Sequence, residues 1–344
     1  MSNYKKLAFL SCLLWSEWAL SQPNGSAMHL AVVELGQVLF RDTSFSRDGQ
    51  TSCQSCHDPA RAYADPRSRS QGTDHRSGTR NAPSLVGIGN DVAFFWDGRR
   101  TRLEDAVLDP FTNPVELGLS SKSELLDKLR HERKLSVKFR AAFPDDPVSP
   151  TVVQVSEALS EFVRSLRSEV SVYDRAQRDH MALAGEAEHG RQLFESVAGC
   201  NDCHTMVNAR FTDDKYHHSN IGVEAQDQGL PKLAKMVALQ NLEGSILGSR
   251  ILADPEWSSL GRFVVSHRPR DIAAFRTPSL RNVAVTAPYM HDGSIPSLQE
   301  AVDHEIYYRG LSSGRVTNLS QAERKAIVAF LETLTDENYR SSTH

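Results

Sequence analysis

Two stretches of the chain repeat the same pattern of apolar and polar positions. The first contains Leu35-Gly36-Gln37-Val38-Leu39-Phe40, and the second contains His189-Gly190-Arg191-Gln192-Leu193-Phe194. In each stretch a glycine precedes a Leu-Phe pair by three residues, on a segment that predicts a helix, and a polar loop follows. A pattern that recurs in this way within one chain predicts two related domains.

Helical spacing also continues beyond these repeats. From Thr151 to about Arg178, apolar residues recur every three or four positions, which predicts one long helix that leads into the second domain. These apolar residues are Val152, Val155, Leu159, Phe162, Val163 and Leu166. The same pattern returns from Ala326 to Leu334, after the sequence Leu319-Ser320-Gln321-Ala322-Glu323.

Prolines mark a break in this outline, and strand patterns are scarce. Pro144, Pro147 and Pro150 form a patch that interrupts the chain ahead of the long helix. Sustained alternation of apolar and polar residues, which is typical of strands, is hardly found. The predicted fold class is therefore mostly α, with long connecting loops.

The first 21 residues are typical of an export signal. Lys5 and Lys6 precede a short apolar run from Leu7 to Leu14, and Ala19-Leu20-Ser21 offers the small residues that signal peptidase prefers. The run is too short to span a bilayer comfortably. A lipoprotein anchored through Cys12 is the weaker alternative. The protein is expected to be soluble and periplasmic, with residues 1–21 removed as a signal peptide.

Composition changes this picture little. The chain has 344 residues, of which 40% are hydrophobic and 24% are charged, as in ordinary globular proteins. Its length suits two domains. The net charge of −4 leaves no basic surplus for phosphates, which argues against nucleic acid as a partner.

Four of the five cysteines lie in two runs of the form C-x-x-C-H. The runs are Cys53-Gln54-Ser55-Cys56-His57 and Cys200-Asn201-Asp202-Cys203-His204. This is the attachment signature of a c-type haem, in which two thiols bond the porphyrin and the histidine ligates iron. Two disulfides, a redox pair or a zinc site would not explain the histidine after each pair.

The two runs predict one covalently attached haem in each domain. Cys53, Cys56 and His57 would hold the first haem in a domain of residues 22–165. Cys200, Cys203 and His204 would hold the second haem in a domain of residues 166–344. The fold is then two cytochrome c-like domains.

With these residues in view, the chain resembles the bacterial di-haem cytochrome c peroxidase superfamily, including its MauG-type branch. Several stretches besides the haem motifs carry the resemblance over nearly the whole mature chain. They are Arg80-Asn81-Ala82-Pro83-Ser84-Leu85, Phe95-Trp96-Asp97-Gly98-Arg99, Asn113-Pro114-Val115-Glu116-Leu117-Gly118, Phe275-Arg276-Thr277-Pro278-Ser279-Leu280-Arg281-Asn282-Val283 and Thr286-Ala287-Pro288-Tyr289-Met290-His291-Asp292-Gly293.

The resemblance implies roles around the first haem. Glu116 matches the acid/base residue of the family, which moves a proton between the two oxygens of peroxide. Pro110 matches a residue that shapes this pocket, and Trp96 matches an indole that relays electrons between the haems. An exposed loop glutamate and a buried core tryptophan are the plainer alternatives. The chain departs from many relatives at Ala106, where they carry glutamine.

The resemblance also implies a calcium ion between the haems. Asn81, Thr286 and Pro288 match the positions that hold it, through one side-chain oxygen and two backbone oxygens. Ligation by oxygen alone suits a hard cation. Ordinary turn structure is the alternative interpretation of these residues.

The sixth ligand of the first haem is predicted to be absent. Where conventional relatives place a histidine, this chain has Thr73, and His75 lies two residues further on. His75 could ligate the iron if its loop shifts. We expect an open first haem that is accessible to peroxide.

Over the second haem, relatives place methionine or, in the MauG-type branch, tyrosine. Counting without a gap reaches Glu305, and a two-residue insertion aligns Tyr307 with the tyrosine. A helix capped by Ser297-Leu298-Gln299-Glu300 would instead put Tyr308 on the face of Leu298, Ala301 and Glu305. Tyrosine is expected, with Tyr307 and Tyr308 both open and Met290 a weaker candidate.

The function implied by the resemblance is a reaction with hydrogen peroxide. The first haem would cleave peroxide, and the second would store or pass electrons. The electrons would come from a small donor protein, or from a protein substrate that is oxidised as in the MauG-type branch. An electron-transfer cytochrome without catalysis is the alternative. The segment from Met206 to Ile272 has no predicted role, and His217, His218 and His267 are expected at the surface or against a haem.

Overall fold

The computed structural model describes residues 24–146, 150–168, 170–222, 229–313 and 317–340. The predicted signal peptide, Cys12 and Pro147 lie outside these residues. About half of the chain is helical and the sheet is small, which confirms the mostly α fold class. Within the described ranges, every helix is too short or too polar to span a lipid bilayer.

The α-helices are numbered here in chain order. They are α1 (Asn24–Arg41), α2 (Leu103–Ala106), α3 (Asp109–Thr112), α4 (Lys122–His131), α5 (Arg133–Ala142), α6 (Val152–Ser165), α7 (Val172–Arg178), α8 (Gly185–Glu195), α9 (Leu230–Gln240), α10 (Gly244–Ala253), α11 (Pro255–Ser259), α12 (Phe263–Ser266), α13 (Leu298–Ser313), α14 (Gln321–Glu332) and α15 (Glu337–Arg340). Short 3-10 turns cover Thr43–Phe45, Cys53–Ser55, Pro59–Arg61, Thr73–His75, Ile88–Asn90, Cys200–Asp202, Val207–Ala209, Pro269–Asp271 and Val283–Val285.

Two short strands form an antiparallel pair late in the chain. Strand β1 (Tyr216–His218) pairs with β2 (Ala274–Arg276), and Tyr216 lies opposite Arg276. All three residues of β2 are buried, whereas β1 becomes exposed towards its end. The pair therefore joins the surface of the molecule to its interior.

The glycine of each sequence repeat is the point where two long helices cross. A Cβ atom at Gly36 of α1 would overlap the backbone carbonyl oxygen of Ala158 on α6. A Cβ atom at Gly190 of α8 would overlap the carbonyl oxygen of Ala326 on α14. The repeated glycine is explained because the helix backbones approach too closely for any side chain at this position.

The Leu-Phe pair of each repeat faces the core beside this crossing. Leu39, Phe40, Leu193 and Phe194 are all buried. Each phenylalanine packs against two other Phe or Tyr rings, with nearest centroids 5.1 Å apart in the first half and 5.2 Å apart in the second. The two groups are Phe40, Tyr63 and Phe162, and Phe194, Phe211 and Phe330. The same packing is thus built twice.

The predicted single helix from Thr151 to Arg178 is wrong, because α6 ends at Ser165 and α7 begins at Val172. The carbonyl of Leu166 leaves the helical path and accepts a hydrogen bond from the amide of Gly87, at 2.7 Å. Ser171 then caps the new helix by accepting from the amide of Asp174. The prediction failed because the apolar spacing continues through the break. A tertiary hydrogen bond and a helix cap, which the spacing does not reveal, end one helix and start the next.

The helix start predicted at Ser297 is confirmed. Ser297 donates to the Glu300 carboxylate at 2.8 Å and accepts from the Glu300 amide, and α13 begins at the next residue. Ser320 and Glu323 make the same reciprocal pair at the start of α14. Both helices begin where side chains satisfy the first amides.

The segment without a predicted role forms a helical unit with its own core. Helices α9 to α12 surround Trp257, which is completely buried. This unit is bonded to the first half, because Thr79 donates to the carbonyl of Ile251 at 2.8 Å. Arg80 likewise donates to the side chain and carbonyl of Ser258. The unit therefore supports the loop that precedes Asn81.

We expect Gly36→Ala to destabilise the protein by about 1–3 kcal/mol, because the added methyl group must force α1 and α6 apart. Gly78→Ala is the matched control. Its Cβ would meet ordinary contacts at 3.7 Å or more, and the change should stay within about 0.5 kcal/mol. Denaturant unfolding followed by circular dichroism measures both, and equal effects would contradict this account of the crossing.

Candidate functional site

The first C-x-x-C-H run folds as a tight turn. Its first half is a 3-10 turn, Cys53–Ser55, in which the carbonyl of Cys53 accepts from the amides of Cys56 and His57 at 3.2 and 3.0 Å. Ser52 opens the turn through reciprocal contacts with Ser55. The two thiols and the imidazole are thereby held on one short piece of backbone.

The second run has the same geometry. The carbonyl of Cys200 accepts from the amides of Cys203 and His204 at 3.3 and 2.9 Å. All four cysteines are partly buried, and the described residues contain no disulfide. A disulfide framework, one of the alternatives for these runs, does not form.

Each histidine of these runs is oriented by a backbone carbonyl. His57 Nδ1 lies 2.9 Å from the carbonyl oxygen of Tyr63, and His204 Nδ1 lies 3.0 Å from that of Phe211. Tyr63 and Phe211 both adopt a positive φ, 58° and 53°, which turns their carbonyls towards the histidines. A donated Nδ1–H fixes the tautomer in which Nε2 is the basic nitrogen, as an iron ligand requires.

Charge is consistent with this role for His57. Burial lowers the pKa of its imidazole, although the Tyr63 carbonyl opposes the shift. The neutral ring is the form that ligates a metal. The donor set of each run, two thiols and one oriented imidazole, therefore fits a c-type haem.

A second observation also fits haem. Four buried nitrogen atoms at the junction of the two halves have no hydrogen-bond partner among the described residues: Arg80 Nη1, Arg99 Nε, Arg276 Nε and His291 Nδ1. Burial lowers the pKa of Arg80 to about 10. Arg99 and Arg276 already pair with Asp97 and Asp91. Each of the three guanidinium groups nevertheless keeps one buried N–H that a further acceptor could satisfy. The propionate carboxylates of haem are anions that guanidinium groups bind well.

Reciprocal backbone hydrogen bonds join the two halves at this place. The amide of Asn81 donates to the carbonyl of His291 at 2.9 Å, and the amide of Arg276 donates to the carbonyl of Trp96 at 2.8 Å. The indole of Trp96 donates to the carbonyl of Asn81 at 2.9 Å. Trp96 is partly buried between the halves, at a position that belongs to neither core alone.

Glu116 lies in a loop that the backbone holds tightly. The carbonyl of Asn113 accepts from its amide at 3.0 Å, and its own carbonyl accepts from the amide of Thr73 at 2.7 Å. Pro110, at the start of α3, anchors the same loop because its carbonyl accepts from the amide of Leu117 at 3.1 Å. The carboxyl group is thus carried on a rigid segment.

The Glu116 carboxyl has an unusual pKa, raised to about 7. Burial is the main cause, and Asp109 adds to it, while Arg99 and Asn113 act in the opposite direction. Glu116 is also among the charges that raise the pKa values of the Cys53 and Cys56 thiols, after burial itself. A carboxyl that exchanges protons near neutral pH therefore lies near the first run.

Comparison with known proteins agrees with this arrangement. Residues 30–182 match a family described as di-haem cytochrome c peroxidase. The methylamine utilization protein MauG of Methylorubrum extorquens is 31% identical over 345 residues, which cover 98% of this chain and 87% of that protein. The chain belongs to the di-haem cytochrome c peroxidase family.

Other relatives support the same assignment. Cytochrome-c peroxidase IdrP2 of Pseudomonas sp. is 32% identical, over 92% of this chain and 84% of that protein. A MauG-like protein associated with microbial copper homeostasis has a crystal structure that matches with a TM-score of 0.71 at 29% identity, over 89% of this chain and 90% of that chain. The present chain is therefore an enzyme of the oxidoreductase class.

The two residues expected near the open side of the first haem, Thr73 and His75, differ in solvent exposure. Thr73 is completely buried, whereas His75 is exposed and has a φ of 58°. Ala106, where many relatives carry glutamine, is buried in an apolar cluster with Phe94 and Leu103. The methyl group of Ala106 is therefore accommodated by packing.

The calcium positions of the di-haem peroxidase family lie on two adjoining segments. Asn81 is buried, and its side-chain amide donates to the carbonyl of Arg67 at 3.0 Å. Its backbone bond to His291 puts it beside the loop that carries Thr286 and Pro288, both partly buried. Calcium binding there stays a prediction.

The tyrosines expected over the second haem point in different directions, because α13 is unbroken through both of them. Tyr307 is 62% exposed, although the preceding residue, Ile306, is buried. Tyr308 and Glu305 are partly buried, and the Tyr308 ring lies 4.4 Å from that of His304. Met290 is also partly buried, in a turn with a φ of 70°.

Sequence reasoning assigned no role to the buried arginines or to His291. A signal was nevertheless present, because Phe95-Trp96-Asp97-Gly98 and Met290-His291-Asp292-Gly293 form the same turn with first φ values of 68° and 70°. His291 thus occupies in the second half the position of Trp96 in the first. Its ring stacks on Phe275 at 3.7 Å.

We expect two haems per chain that resist extraction by acidified acetone. Replacing both Cys200 and Cys203 by alanine should remove covalent haem from the second run and leave one haem at Cys53 and Cys56. Pyridine haemochrome absorbance against protein mass measures this number. A double variant that keeps two covalent haems would contradict the assignment.

Proposed function

We propose that the protein is a periplasmic c-type cytochrome with two covalently bound haems that reacts with hydrogen peroxide. The observation that carries the proposal is a carboxyl of pKa about 7, Glu116, on a rigid loop near the first C-x-x-C-H run. An electron carrier has no need of such a group, whereas peroxide cleavage needs a proton to move between two oxygens.

The attachment residues divide between two domains in this proposal. Residues 22–165 hold one haem through Cys53, Cys56 and His57, and residues 166–344 hold the other through Cys200, Cys203 and His204. When bound, the haems supply the iron chemistry that breaks the oxygen–oxygen bond and stores electrons.

The Glu116 side chain is the proton carrier. As a carboxylate it accepts a proton from the peroxide oxygen that approaches the first haem, and it returns the proton to the departing oxygen. Thr73 and Asn113 hold its backbone, and Pro110 holds the end of its loop. This support keeps the carboxyl in place while the proton moves.

Trp96 is the relay between the two sites. Its indole N–H is anchored on the Asn81 carbonyl, and its own carbonyl is anchored on the Arg276 amide from the other half. A residue held both at its indole N–H and at its own carbonyl stays in one position between the two halves. Calcium held by Asn81, Thr286 and Pro288 would stiffen the same junction.

Tyr308 is the candidate ligand that we favour for the second haem. It lies on the half-buried side of α13, while Tyr307 faces solvent, and Glu305 and Met290 are the remaining candidates. A phenolate stabilises ferric iron and lowers the potential. A tyrosine ligand is the feature of the MauG-type branch, in which a protein substrate gives up the electrons, and a small donor protein is the other source of electrons.

We expect Glu116→Gln to slow peroxide consumption by about 10²–10⁴-fold without loss of haem, because the amide cannot accept the proton. The wild-type rate should fall as the pH drops through about 7, since the raised pKa means that the carboxylate is lost below that value. The variant should lose this pH dependence. Rates of peroxide loss in single-mixing experiments measure both.

Glu132→Gln, at an exposed position in the same half, is the control and should leave rate and pH profile unchanged. If Glu116→Gln reacts at the wild-type rate, the protein is an electron-transfer cytochrome or uses another group.

We also expect Tyr308→Phe to change the low-spin ferric EPR signal of the second haem and to raise its reduction potential, because a phenolate ligand is lost. Tyr307→Phe should change neither. The result would be reversed if the helix unwound to bring Tyr307 to the iron, and an unchanged spectrum in both variants would point to Glu305 or Met290.

A further inference from the structure

A groove with concentrated positive charge lies on the segment that the sequence left without a role. Four cationic side chains line it, Lys215, Arg262, Arg268 and Arg270, against one acidic residue, Asp271. The whole chain has a net charge of −4. Positive charge is therefore concentrated here against the overall balance of the molecule.

The outer cations of this groove are available to a partner. Lys215, Arg268 and Arg270 are exposed, and the Arg270 side chain is 76% exposed. Within the described part of the chain, neither Lys215 nor Arg268 has an acidic side chain within 4.0 Å. Exposed cations around an open groove suit a surface rich in carboxylates better than an enclosed small anion.

The floor of the groove touches the chain that carries Trp96. Arg262 donates to the carbonyls of Asp97 and Gly98 at 3.0 and 2.9 Å, and its guanidinium lies 4.5 Å from the ring of Tyr216. A Cβ atom at Gly98 would overlap the Tyr216 hydroxyl. The floor therefore contacts Asp97, the residue that directly follows Trp96.

The same floor is continuous with the second haem run. Tyr216 pairs with Arg276, whose amide bonds the Trp96 carbonyl. The next residue, His217, hydrogen-bonds Asp213 at 2.8 Å and interacts with Cys203. A partner bound in the groove would therefore lie over β1, which contacts Cys203 through His217 and connects to Trp96 through Arg276.

We propose that this cationic groove docks the acidic face of a redox protein, which passes its electrons to the second haem site and Trp96. The inference rests on the proposed peroxide reaction, because each hydrogen peroxide takes up two electrons and two protons to become two waters. The partner loses those two electrons, one in each docking event if it carries a single one-electron centre. Opposite charges speed the encounter and orient it.

The test uses the holoprotein with two reduced probes, an acidic and a basic small c-type cytochrome. The groove variant is Lys215→Glu with Arg268→Glu and Arg270→Glu. The control reverses three exposed cations on α5, Arg133→Glu with Lys134→Glu and Lys138→Glu, which makes the same change in net charge. Rates of cytochrome oxidation by peroxide are measured at several salt concentrations.

We expect the wild type to oxidise the acidic cytochrome faster than the basic one, with a rate that falls as salt screens the charges. The groove variant should lose about tenfold or more of this rate, and the α5 control much less. Equal losses in the two variants, or a preference of the wild type for the basic cytochrome, would overturn the proposal.

Two further measurements separate docking from chemistry. Peroxide turnover with hydroquinone, a small uncharged reductant, should be the same in the wild type and the groove variant. If the wild type shows no peroxide turnover with hydroquinone, the peroxide function is contradicted. Titration calorimetry with the acidic cytochrome then tests docking separately, without peroxide. If the triple variant does not fold, Arg270→Glu alone should weaken that binding, and unchanged binding would count against the groove.

Discussion

Two reciprocal backbone hydrogen bonds, from Asn81 to His291 and from Arg276 to Trp96, hold the functional part of this molecule together. Each half has its own core, built where two helices cross at a glycine, Gly36 or Gly190. Cores of this kind would keep each haem run in shape but would not set the distance between the runs. The two bonds help to set that distance, because each joins the turn of one half to a loop of the other. Backbone groups suit this task because their positions do not vary with rotamer.

The electrostatics of the junction follow from this construction. Bringing the two halves together buries guanidinium groups of Arg80, Arg99 and Arg276 in one region, and some of their nitrogen atoms find no protein acceptor. Arg99 and Arg276 are paired with Asp97 and Asp91, so what is left unsatisfied is one buried N–H on each guanidinium group. Arg99 also acts on Glu116, whose pKa reflects burial opposed by that cation. The cluster of buried arginines and the Glu116 carboxyl are thus coupled through Arg99.

The helical unit around Trp257 extends this organisation to the surface. It packs against the loop before Asn81 through Thr79 and Arg80, and it contributes Arg262, which bonds the chain just after Trp96. The loop and the turn that carry the junction are therefore supported from outside the two repeated cores. The surface that covers them is basic, although the chain as a whole is acidic. A partner attracted by this positive charge would bind next to the turn that carries Trp96.

The sequence by itself determined the features that depend on local chemistry: the two C-x-x-C-H turns, the capped starts of α13 and α14, and the repeated Gly-Leu-Phe pattern. Each needs only neighbouring residues, so its spacing is visible in one dimension. The break between α6 and α7 was not visible, because Leu166 leaves the helix for a bond to Gly87, far away in the chain. Exposure of Tyr307, the unpaired nitrogen of His291 and the place of Lys215 beside Arg268 were equally hidden. These depend on which distant segments meet, and only the packing of the whole chain decides that.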